Sequence, residues 1–175
     1  ESTIGATLDY IKQTGTIFFG SASGNVEMFS VEADSANNGA TIFPVRPINT
    51  VEGRYTVNCI NELYPDARNI GIIFANDGEG AIFKDCVIDQ LNAIDKNYKS
   101  TVVETQNGIF DIEKFSDCDA IIVAARRINA EQIFKTLVDE KISKPVFATG
   151  NVFLSGSVEE SAFYEKYDEL DDADK

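Results

Sequence analysis

Two runs of this chain consist almost entirely of apolar residues, Ile70-Gly71-Ile72-Ile73-Phe74 and Ala120-Ile121-Ile122-Val123-Ala124. A strand with one wet face alternates apolar and polar residues, whereas a strand covered on both faces has no reason to. Both runs are too short for a core helix, and both are followed by segments with helical spacing. Phe83, Cys86, Val87, Leu91 and Ile94 share one helical face, and Ala130, Ile133, Phe134, Leu137 and Val138 share another. Buried strands alternating with single helices predict an α/β fold of parallel βαβ units, with helices on both faces of the sheets.

The remaining elements fit the same plan. Residues 2–13 read as a helix stopped by Gly15, and Ile17-Phe18-Phe19 as a short buried strand cut off at Gly20. Thr41 to Val45 reads as a strand that Pro44 confines to an edge or an irregular position. Asn49 and Glu52 have capping-box spacing and open a helix with Val51, Tyr55, Cys59 and Leu63 as its apolar face, closed by Pro65-Asp66. Further strands are expected at Thr101–Val103 and Val146–Ala148, with a short helix or turn at Phe110–Phe115. Asn129 and Gln132 repeat the capping-box spacing, and Ser157 with Glu160 are expected to cap a final acidic helix reaching Leu170. The polar break from Asp66 to Asn69 separates two complete units and is a lobe boundary on this reading.

Composition removes several function classes. The 175 residues include 29 acidic and 15 basic ones, a net charge of −14, so nucleic acid and anionic membrane surfaces are poor partners. The chain contains no histidine, which excludes a Ser-His-Asp or Cys-His mechanism within it. Cys59, Cys86 and Cys118 are odd in number and widely spaced, so they imply neither a disulfide framework nor a zinc site, and buried thiols are expected. No apolar run is long enough to insert into a membrane. No basic-then-apolar leader opens the chain, which leaves secretion open.

In a doubly wound sheet, ligands bind beyond the carboxyl ends of the strands, and three loops fall there. Gly20-Ser21-Ala22-Ser23-Gly24 combines small residues with hydroxyls and N–H groups that suit a carboxylate; Ala22 at the nucleophile position excludes a GxSxG elbow. Asn76-Asp77-Gly78-Glu79-Gly80 faintly echoes a dinucleotide fingerprint, but Phe83 occupies the third glycine position and the first glycine comes too late for the tight turn. The plainer reading is a polar loop with Asp77 near a helix N-terminus. Arg126-Arg127 follows the second apolar strand, where a guanidinium can hold a carboxylate in bidentate fashion or simply face solvent.

The order of these segments resembles the middle portion of the type I periplasmic binding proteins, in particular the leucine/isoleucine/valine-binding branch of ABC importers. The resemblance rests on Ile17 to Phe19 followed by Gly20-Ser21-Ala22-Ser23, on Ile42-Phe43-Pro44-Val45-Arg46-Pro47, and on Asn69 to Phe74. Asp119-Ala120-Ile121-Ile122-Val123 and Lys144-Pro145-Val146-Phe147-Ala148-Thr149-Gly150 complete it. Members of that family are roughly twice this length, with two lobes of similar size. The resemblance therefore implies an incomplete two-lobed fold: residues 1–66 as part of lobe one, 67–158 as most of lobe two, and 159–175 as an acidic C-terminal helix or tail.

It also implies a function without catalysis and without a cofactor: capture of an amino acid or similar small ligand between lobes, outside the cytoplasm, for delivery to an ABC permease. Ser21, Ala22 and Ser23 match the loop that holds the ligand's carboxylate and amine, and Ser2 or Thr3 an earlier serine loop. Glu79 and Arg126 fall at positions that are often aromatic in the family, and Asn151 where an acidic residue often meets the ligand amine. Charged groups at Glu79 and Arg126 would be desolvated against an alkyl chain, so a polar ligand is expected. A receptor's ligand-sensing domain, a regulator's effector domain and an α/β nucleotide-dependent enzyme are the alternatives.

Overall fold

The computed structural model describes residues 6, 9–11, 13–21 and 42–152, with the backbone alone at 21, 127, 128 and 151. The expected C-terminal helix, the start of the first helix, and Ala22 and Ser23 lie outside the described residues. Residues 6, 9–11, 13 and 14 are helical, and strand β1 (Phe18–Ser21) follows. It pairs in parallel with β2 (Ile42–Pro44). The register slips between Phe19 and Ser21, where Gly20 takes φ +96°, a conformation that costs glycine little. Strand β1 thus runs through Gly20 instead of ending there. Its neighbours are not buried as expected: Ile17 is 73% exposed and Phe19 77%. A two-stranded sheet gives these side chains no second layer among the described residues.

The larger sheet holds the core. Helix α1 (Asn49–Leu63) leads into β3 (Asn69–Ala75), α2 (Gly80–Ala93), β4 (Lys99–Thr105), a 3-10 turn (Ile112–Phe115), β5 (Ala120–Ala124), α3 (Arg127–Asp139), β6 (Val146–Ala148) and a second 3-10 turn (Gly150–Val152). The four strands are parallel in the order β4-β3-β5-β6. Strand β3 lies inside the sheet, so successive connections leave it in opposite directions, and the order reverses between β3 and β5.

Both apolar runs are buried on both faces, as expected. Ile70, Ile72, Ala120, Ile122 and Ala124 pack under α1 and α2 with Val57, Ile60, Phe83 and Val87. Ile73, Ile121 and Val123 turn to the other face, against Phe115, Ala130 and Ile133. Each of these Ile, Val and Phe side chains contributes about 1.5–3 kcal/mol by leaving water. Cys118 belongs to the second cluster, and burial pushes its thiol above the ordinary range. Cys59 and Cys86 are only partly buried, and all three thiols are free.

Three sequence expectations fail in helices. The N-cap of α1 is Ile48 and that of α3 is Arg126, neither with a side-chain cap bond, so the capping boxes at Asn49/Glu52 and Asn129/Gln132 are not formed. The buried face of α1 is Asn49, Gly53, Thr56, Val57 and Ile60, while Val51, Tyr55 and Leu63 are exposed. The cause is the close approach of α1 to α2: a Cβ at Gly53 would stand 3.0 Å from Cys86 Cβ. That contact favours the small-residue side of the helix, which an apolar-spacing reading passes over.

At the amino ends of the strands, one carboxylate joins β3 to β5. Asp119 Oδ2 accepts from Arg68 N at 2.7 Å and Asn69 N at 2.8 Å. These backbone donors hold its carboxyl below the usual range. Nearby, Lys144 Nζ donates to the carbonyls of Phe115, Ser116 and Cys118, using all three ammonium protons to close the turn before β5. Asp119→Asn is expected to cost about 1 kcal/mol, reduced from a buried charged bond by solvent exposure. Because the native carboxyl holds its proton less tightly than the unfolded one, its contribution is complete above the unfolded pKa and disappears as pH falls through the native value. Urea unfolding of both proteins is therefore expected to show a gap at neutral pH that closes below about pH 4.

Candidate functional site

In an open α/β sheet, the strand-order reversal between β3 and β5 marks the place where a ligand crevice is expected, beyond the carboxyl ends of the strands. Its floor is unusually close-packed. Gly80, the first residue of α2, sits over the ends of both strands, where a Cβ would lie 2.4 Å from Ala75 O and 2.5 Å from Ala124 O. This proximity brings the Asn76–Glu79 loop, the residues after β5 and the residues after β6 to one end of the sheet.

An inner layer of charge lies under that end. Arg46, in the link from β2 to α1, reaches Glu79 Oε2 at 3.0 Å and Glu52 Oε2 at 3.3 Å, and its side chain is only 6% exposed. Glu52 uses its other oxygen, Oε1, to accept from Gly150 N after β6. Asn49 is buried and donates from Nδ2 to Glu79 O at 3.2 Å. One guanidinium thus ties the β2–α1 link, the first turn of α1, the loop before α2 and the turn after β6. Buried charges persist when each has such partners.

An outer layer faces solvent. Asp77 Oδ1 accepts from Glu79 N at 3.1 Å and Gly80 N at 2.8 Å, which fixes the loop and occupies the amides at the start of α2. Its Oδ2 lies 3.7 Å from Arg126 Nε, and the Arg126 side chain is 47% exposed. A dinucleotide phosphate would need the amides that Asp77 already fills, so the faint glycine fingerprint here is a self-capped loop. Behind Arg126, the buried Thr149 donates from Oγ1 to Ala125 O at 3.4 Å and supports the strand ends. Among the described residues, no group of His, Cys, Asp and Glu side chains is placed to hold a metal ion.

Of the residues expected at a ligand site, the structure brings Glu79 and Arg126 to the same end of the sheet through Asp77. Their surroundings differ. Glu79 is 7% exposed with its carboxylate on Arg46, whereas Arg126 is accessible. Asn151 lies in the turn after β6, next to the Gly150 amide that Glu52 holds. Ser21 ends β1 opposite Pro44, and Ala22 and Ser23 lie outside the described residues. Sequence reasoning missed the organising roles of Arg46, Asn49, Glu52 and Asp77. The available signal was an arginine before Pro47, followed by a polar pair at the helix start whose capping spacing disguised its use.

No protein-family model and no curated protein sequence matches the chain. Solved structures do. A leucine binding protein from Thermotoga maritima aligns with a TM-score of 0.65 at 12% identity, over 83% of this chain and 41% of its own. An ABC transporter substrate-binding protein from Desulfitobacterium hafniense aligns at 0.63 and 14% identity, over 83% and 43%. A fatty acid ABC transporter substrate-binding protein from Thermomonospora curvata aligns at 0.68 and 9% identity, over 95% and 42%. The chain spans less than half the length of each. Its parallel α/β sheets therefore have the fold of the type I periplasmic binding proteins, the leucine-binding kind included, over part of that two-lobed architecture.

Proposed function

We propose that this chain forms part of an extracytoplasmic solute-binding protein of an ABC importer, which holds a small carboxylate-bearing ligand between two lobes without chemical turnover. The observation that carries the reading is the accessible Arg126, set by Asp77 at the reversal point of a sheet whose structural neighbours are solute-binding proteins. Leucine and a fatty acid, named for two of those neighbours, share a carboxylate and little else. A guanidinium at the crevice suits that common group. Asp77 beside it suits an ammonium or hydroxyl on the same ligand, which favours an amino acid or another polar acid. Glu79 acts beneath the site by holding Arg46, and Asn151 borders it. Ser21, Ala22 and Ser23 would supply hydroxyls and amides from the other lobe.

The packing of α1 on α2 supports counting α1 with lobe two. The crossing between lobes then falls in the link holding Arg46, and the break at 66–69 becomes a turn inside that lobe. Closure about this crossing would bury the ligand and present a surface to a membrane permease.

Titration calorimetry of the protein against amino acids, hydroxy acids and fatty acids tests the reading. One-to-one binding of a polar carboxylate is expected, weakened about tenfold or more by Arg126→Ala. Tight leucine binding with no response to polar amino acids overturns the ligand class, and affinity untouched by Arg126→Ala removes that residue from the site.

A further inference from the structure

Helix α1 carries a second apolar stripe that its packing leaves outside. Val51, Tyr55 and Leu63 are 52%, 70% and 64% exposed, and the partly buried Cys59 completes their i, i+4, i+8, i+12 spacing. These positions form one ridge about 18 Å long. Large exposed apolar residues scattered singly need no explanation, but a continuous helical ridge with a tyrosine at its centre has the composition of an interface.

The charges beside the ridge point to its occupant. Arg54 and Glu62 are both exposed and lie on the same flank. Their midpoint is residue 58, and the midpoint of Val51 and Leu63 is residue 57. A two-fold axis through the middle of α1 therefore sets Val51 against Leu63 of a second copy and Tyr55 against Cys59, and brings Arg54 to Glu62 twice. An isologous interface requires this self-complementarity, in which one patch serves as both halves. We propose that the outer face of α1 is a homodimer interface, formed by antiparallel packing of α1 on its own copy. Asn49 lies on the core-facing side of the helix, and Glu52, a neighbour of Tyr55 at i, i+3 spacing, borders the ridge with its carboxylate held by Arg46.

Sedimentation equilibrium of the 175-residue chain at physiological ionic strength is expected to show a reversible monomer–dimer equilibrium. Tyr55→Glu/Leu63→Glu places charges in the seam and is expected to give monomer throughout, with an unchanged far-ultraviolet spectrum. Arg54→Glu puts like charges together at both ends and is expected to weaken the dimer about tenfold. The exchange Arg54→Glu/Glu62→Arg restores the pairing and the original dissociation constant. A wild-type chain that stays monomeric at every concentration overturns the proposal. So does a dimer indifferent to Arg54→Glu, or one that the double exchange fails to restore; neither substitution touches the core, so a folding defect cannot imitate these results.

Discussion

Replacing Arg46 with methionine is expected to destabilise the protein by about 3–5 kcal/mol, the range for removing one partner from a buried ion pair. The loss exceeds the worth of the two contacts, because Glu52 and Glu79 stay behind, largely excluded from water and facing the same vacated space. Methionine preserves most of the apolar stem, so the charge and not the packing is at issue. Arg46→Lys is expected to recover only part of the loss, since a single ammonium cannot present the planar fork that meets two carboxylates from different elements.

The double variant Arg46→Met/Glu79→Gln separates the explanations. Removing one of the stranded charges is expected to return part of the stability, so the two substitutions are non-additive. Equal losses in the single and double variants would mean that Arg46 acts through its shape alone. Urea unfolding gives these differences directly. A second readout is the crevice: Glu52 also holds the Gly150 amide. Loosening Glu52 is therefore expected to weaken ligand binding in Arg46→Met even where the protein remains folded.

The fold was legible where burial alone decides it. Ile70 to Phe74 and Ala120 to Ala124 are apolar at every position because helices or turns cover both faces, and their identification as parallel strands followed from that fact. The bounds of β6 were also read correctly, although Val146 is exposed and Phe147 and Ala148 are only partly buried. The face of α1 was not legible, because Gly53, Thr56 and Asn49 are buried for fit and hydrogen bonding, two requirements that leave no apolar periodicity. The outward stripe has the stronger pattern, and it drew the assignment.

The site divided along similar lines. Glu79 and Arg126 were expected at one ligand site from their loops after β3 and β5 and from the family resemblance. That Glu79 turns inward to Arg46 depends on a contact across 33 residues of chain, which no local spacing encodes. Asn49 and Glu52 imitate a capping box because both uses require a polar group and a carboxylate in the first helical turn. Only the approach of Gly150 and Glu79 decides between them.

Gly80→Ala is expected to be the most damaging single-methyl addition among the described glycines, at about 3 kcal/mol. The added Cβ would meet two backbone carbonyl oxygens, one from each central strand, at 2.4 and 2.5 Å. Neither oxygen can swing aside as the end of a side chain can. The start of α2 must lift from the sheet, or β3 and β5 must part, and either movement disturbs Phe83 and the core below it. Gly71→Ala provides the comparison. Its Cβ meets the Phe115 ring at 2.5 Å, a contact just as short on paper, but the neighbour is a side chain at the edge of a 3-10 turn. Although Phe115 is buried, a side chain can adjust its χ angles where a backbone carbonyl in a sheet cannot, so a smaller cost of about 1–2 kcal/mol is expected. Lifting α2 would also move Asp77, whose carboxylate is fixed by the Gly80 amide, away from Arg126. Gly80→Ala is thus expected to lose ligand affinity along with stability, whereas Gly71→Ala loses stability alone. Equal effects of the two substitutions on binding would mean that the close seat of α2 on the strand ends does not shape the crevice.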